Sequence, residues 1–74
     1  MSPEKLAMMA NQIATFFKSQ PGQDQAQLVA DHLNDFWEPR MRAQLARQMA
    51  AGGAGLDPLV VAAFAHVRVP AEQD

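Results

Sequence analysis

The chain has 74 residues, 49% of them hydrophobic, with no cysteine and a formal charge of −2 at pH 7. The length bounds it to one domain with a small core, and the missing cysteines rule out disulfides and thiolate metal sites. Six Lys and Arg against eight Asp and Glu give no cationic excess of the kind that drives general nucleic-acid binding.

A first helix is predicted over residues 3–19. Ser2 stands where an N-cap belongs, Pro3 at the first helical position, and Glu4 where the helix dipole favours an acid. Leu6, Met9, Ala10, Ile13, Phe16 and Phe17 recur at three- and four-residue spacing, which makes an apolar stripe read as core. Ser19-Gln20-Pro21-Gly22 ends it, because Pro-Gly is strong turn punctuation.

A second helix is predicted over residues 23–36, with Asp24 as its cap. Leu28, Val29, His32, Leu33, Phe36 and Trp37 share one face. Pro39 then interrupts: its ring disfavours helical geometry at Glu38, and it has no N–H to carry a helix through. Residues 36–39 therefore read as a tight corner, with Pro39 opening a third helix over residues 39–50. Met41, Leu45, Gln48 and Met49 form the predicted inner side of that helix.

The glycines at 52, 53 and 55 close the third helix. Asp57-Pro58 repeats the cap-then-proline signal, and Leu59, Val60, Ala63, Phe64 and Val67 give the fourth helix its stripe. Residues 69–74 read as a polar tail. The fold expected is all-α, a single helical domain over 1–74 of about four short helices joined by Pro- and Gly-marked turns.

Charge is unevenly spread. Residues 39–51 carry Arg40, Arg42 and Arg47 with no acid, whereas 23–38 carry Asp24, Asp31, Asp35 and Glu38 with no Lys or Arg. Nothing resembles a signal peptide, since Glu4 and Lys5 stand early and Asn11 and Gln12 interrupt the apolar residues. The longest apolar run, 59–65, is far short of a membrane span. A soluble, cytoplasmic protein without membrane attachment is expected.

Catalytic chemistry has little to work with. His32 and Asp35 lie three apart on one helical face, a spacing usable for a metal or an acid/base pair, but no third ligand converges and no HExxH is present. His66 is a lone histidine beside apolar residues. Ser2, Thr15 and Ser19 are the only hydroxyl-bearing residues, and none has the neighbours of an activated nucleophile. The expectation is no catalytic, no cofactor-binding and no metal-binding residue.

What remains is surface. Trp, Met and Arg are enriched where proteins meet, so Phe36, Trp37, Arg40, Met41 and Arg42 are the residues expected to bind a partner. Trp37 reads equally well as the central core residue of a small bundle. Arg42 discriminates, because a core leaves an arginine little to do. The Phe16-Phe17 end of the first helix is the next candidate surface. A different class of function would use Arg40, Arg42 and Arg47 as phosphate contacts of a small nucleic-acid-binding module, which the acidic total disfavours.

Three motifs together carry a resemblance. Met9-Ala10-Asn11-Gln12-Ile13-Ala14 with Phe16-Phe17, then Asp31-His32-Leu33 with Phe36-Trp37-Glu38-Pro39-Arg40-Met41-Arg42, then Gly55-Leu56-Asp57-Pro58-Leu59 are similar to the small delta subunit of bacterial NAD-dependent formate dehydrogenases. The likeness runs from about Leu6 to Phe64. It implies a complex whose alpha subunit holds a bis-molybdopterin guanine dinucleotide centre, with molybdenum or tungsten, and iron–sulfur clusters. Beta and gamma subunits carry FMN and further clusters. The delta subunit is then an accessory chain without a cofactor of its own, partnering the alpha subunit and, through it, beta and gamma. It supports assembly or stability, or handles the metal cofactor during insertion.

Overall fold

The computed structural model describes residues 1–20, 22 and 24–70. Four helices follow in order: α1 Pro3–Lys18, α2 Gln25–Phe36, α3 Pro39–Ala50 and α4 Pro58–Ala63, the last closed by a 3-10 turn at Phe64–His66. Among the described residues there is no strand. The all-α expectation holds.

The helix starts are local chemistry. Ser2 Oγ accepts the Lys5 N–H at 3.1 Å, and Pro3 opens α1 without a donor to satisfy. Asp24 caps α2 by accepting the Gln27 N–H at 3.2 Å, from a left-handed backbone (φ 47) that a short polar side chain tolerates. That cap sets the start at Gln25, two residues later than predicted. Gln23 itself lies outside the described residues, as do Pro21 in the preceding turn and the 71–74 part of the tail. Trp37 and Glu38 are both extended (ψ 135 and 151), as a residue before proline must be, and Pro39 restarts the chain as α3. At the far end Gly52 and Gly53 adopt positive φ and donate to Met49 O and Gln48 O at 3.1 and 2.8 Å, the Schellman arrangement that satisfies a helix's last carbonyls.

The fourth helix is shorter than its stripe. Asp57 caps it by accepting the Leu59 N–H at 2.8 Å, but α-geometry stops at Ala63 instead of continuing towards Val67. The reason lies elsewhere in the chain. Asn34 of α2 donates to His66 O at 3.0 Å and accepts the Arg68 N–H at 2.7 Å, the donor that a longer helix would have turned onto Phe64 O, while Pro70 has no N–H to give His66 O.

The core is drawn from every helix: Leu6, Ala10 and Ala14 of α1, Val29, Ala30 and Leu33 of α2, Trp37 at the corner, Leu45 of α3, and Val60 and Ala63 of α4. Each fully buried Leu or Val contributes roughly 1.5–3 kcal/mol of transfer free energy. The fully buried alanines allow neighbouring helix backbones close, and α2 packs most extensively against α4. The predicted stripes are wider than this core. Phe16 of α1, read as core, is 58% exposed, and Leu28 and Phe36 of α2 are also outside. Four thin helices provide too little opposing surface to cover both stripes.

Candidate partner-docking face

The uncovered stripes lie side by side. Phe16 and Phe17 of α1 meet edge to face with ring centres 5.1 Å apart, Phe17 meets His32 of α2 at 6.0 Å, and His32 tilts against Phe36 at 4.8 Å. These spacings are in the range where aromatic pairs attract through their quadrupoles. The row borders a shallow groove of about 420 Å³, floored by Met9, Ile13 and Trp37. Nothing ionisable from α1 enters it, because residues 9–17 carry no charge. His32 is a ring in this aromatic row. Among the described residues no group of three or more His, Cys, Asp or Glu is placed to hold a metal.

The five residues expected to bind a partner take different positions. Phe36 stands 73% exposed, while its neighbour Trp37 is only 6% exposed and belongs to the core. Arg40 is exposed and Met41 half-buried against the core. Arg42, expected to meet a partner, bonds within the chain. Its Nη1 donates to Trp37 O at 2.6 Å and Asn34 O at 3.2 Å, and its Nε donates to Arg68 O at 2.7 Å. A cation thus satisfies the carbonyls at the end of α2, where the helix dipole is negative, and ties that end to the Arg68 backbone. Phe36 and Trp37 both border the groove, so the corner and the aromatic row are continuous.

A second polar tie holds the other end. Asn11 of α1 donates to Gly55 O and accepts the Asp57 N–H, both at 2.8 Å. Lys18 pairs with Asp57 Oδ2 at 2.5 Å. The Lys18 ammonium and the Leu59 N–H hold the Asp57 carboxyl below the usual carboxylate range. The Asn11 motif and the Gly55–Asp57 motif, 44 residues apart, are therefore two halves of one joint.

With these pieces placed, the chain can be set against known families. Residues 5–64 match the family described as NADH-dependent formate dehydrogenase delta subunit, FdsD. The chain belongs to this family. Among curated proteins none matches it. The delta-subunit motifs now have physical contents: Asn11 and Asp57 build the joint between α1 and α4, Trp37 and Arg42 the corner between α2 and α3. Of the groove residues, Phe36, Trp37 and the Phe16-Phe17 end were candidates from sequence, whereas Met9, Ile13 and His32 were not named as partner-binding. The available signal was a stripe of six apolar or aromatic positions on α2 in a chain with too few helices to cover it. No described helix is long and apolar enough to cross a membrane.

Proposed function

We propose that this chain is a non-catalytic accessory subunit of a cytoplasmic NADH-dependent formate dehydrogenase, supporting the assembly or stability of the metal-containing catalytic subunit. The observation that carries the reading is the delta-subunit family match over 5–64, which makes the chain one member of a multi-subunit enzyme. Its residue inventory supports a role without redox chemistry of its own, since a chain without cysteine has no thiolate for an iron–sulfur cluster. The molybdopterin, iron–sulfur and flavin groups then belong to the alpha, beta and gamma partners.

The whole chain acts as one helical unit that docks through the 36–42 corner. Phe36 and Arg40, both exposed, meet the catalytic subunit. Trp37, Met41 and Arg42 fix the corner beneath them. Phosphate binding by the arginines, whether of nucleic acid or of a pterin cofactor, draws no support from the arrangement, because Arg42 directs its donors at three backbone carbonyls.

Co-purification tests the reading. The tagged chain, expressed with the remaining subunits, is expected to bring down the molybdenum- or tungsten-containing subunit, and enzyme from cells lacking the chain is expected to keep its metal but dissociate or lose activity faster. Recovery of the small chain alone, while the enzyme is active, would overturn the stable-subunit role. An intact complex without metal would move the role to cofactor insertion.

A further inference from the structure

The acidic residues of α2 are arranged about the aromatic groove in a way that specifies what fits there. Leu28, His32 and Phe36 are spaced by four and form one row along the helix, and Leu28 and Phe36 are exposed. Asp31 and Asp35 sit one position before His32 and Phe36. At 100° per residue they form a second row along the edge of the first. Among the described residues no Lys or Arg pairs with Asp31 or Asp35, whose nearest help is the Gln27 amide donating to Asp31 at 2.8 Å. No Lys or Arg occurs between Lys18 and Arg40, and Lys18 is taken by Asp57. Among the described residues the surface is thus an open apolar trough, with Asp31 and Asp35 along the flank of α2 and no Lys or Arg among its lining residues.

We propose that this trough seats an amphipathic helix of a partner subunit, with its apolar ridge between Phe16 and Phe36 and Lys or Arg on the flank facing Asp31 and Asp35. The inference rests on the reading of the chain as a complex subunit and adds the surface and the chemistry of the segment it takes. A helix fits because a row of apolar anchors at i, i+3/i+4 and i+7 is what a groove between two helices accepts. The charge rim fixes its direction and rejects acidic segments. A second copy of this chain is the poorer occupant: its own trough would bring further carboxylates, and neither residues 9–17 nor α2 supply a cation to meet them.

The test uses the chain co-expressed with the other subunits. The parent chain should be retained by the complex. Phe16→Ala with Phe36→Ala should lower retention roughly tenfold or more, as loss of central aromatic anchors does. Asp31→Lys with Asp35→Lys should lower it too, and Asp31→Asn with Asp35→Asn should flatten the weakening of retention with salt. All three variants should keep the circular dichroism of the parent, since the altered side chains are outside the core. A photocrosslinking residue at Phe36 should join to a helical partner segment that carries Lys or Arg. Failure of the parent chain itself to be retained would overturn the subunit reading. A retained parent with all three variants retained equally, or crosslinks to an acidic segment, would overturn the trough alone. So would a free chain whose sedimentation shows a dimer that Phe16→Ala with Phe36→Ala dissolves.

Discussion

Phe36 and Trp37 are adjacent in sequence and opposite in circumstance. Phe36 is 73% exposed beside His32, while Trp37 is 6% exposed within the core. The polar side chains invert the same expectation, since Arg42 turns inward onto three carbonyls and Asn34 onto two backbone groups. One end of α2 therefore has a braced side and an open side. The braced side has Arg42 and Asn34 matched to backbone groups within the chain and Trp37 buried in the core. The open side has aromatic surface and carboxylates left over, which is what an unfilled interface presents.

The comparison breaks most visibly if Trp37 proves dispensable. Trp37→Ala is expected to cost about 3–5 kcal/mol, a large part of a small domain's stability, measured by urea or thermal unfolding. A variant that melts like its parent would remove Trp37 from the core. Arg42→Ala comes next. It strands the Trp37, Asn34 and Arg68 carbonyls, and a loss of about 1–3 kcal/mol is expected. Combining it with Asn34→Ala should cost less than the sum of the two, because both act on the same joint.

Asn11→Ala sharpens the picture at the other end. It removes the tie between α1 and the Gly55–Asp57 turn, and about 1 kcal/mol is expected to go, with the start of α4 exchanging its amide hydrogens faster. Phe36→Ala should move stability by less than about 0.5 kcal/mol; its effect belongs in partner retention. A large melting shift would place Phe36 on the braced side instead.

The smallest effect is electrostatic. Asp57 is held below its unfolded pKa by Lys18 and the Leu59 N–H, so its contribution is present above the unfolded value and is lost as pH falls through the folded one. Lys18 is half exposed, and solvent screening keeps the pair weak. Lys18→Met should therefore melt slightly below the parent near neutrality and converge on it in acid. A gap that persists in acid would mean that packing of the Lys18 stem, not its charge, matters.

What could be read from the sequence was whatever depends on near neighbours. Ser2-Pro3 and Asp57-Pro58 open helices through a side-chain cap and a fixed φ, Glu38-Pro39 through the fixed φ alone, and Gly52-Gly53 closes one through positive φ. All of these act within a few residues. The breadth of the apolar stripes was legible too, though not which part of each would be covered. Tertiary packing decided that Leu33 and Trp37 go inward while Phe36 and Phe16 stay out, because only so much of each helix can face another. It also chose the partners of Asn11, Asn34 and Arg42, which lie 44, 34 and 26 residues away. It paired the backbone of His66 and Arg68, beyond the end of α4, with Asn34. No local pattern encodes such pairings: a hydrogen bond forms wherever folding brings donor and acceptor together, and burial makes leaving either one unmatched costly.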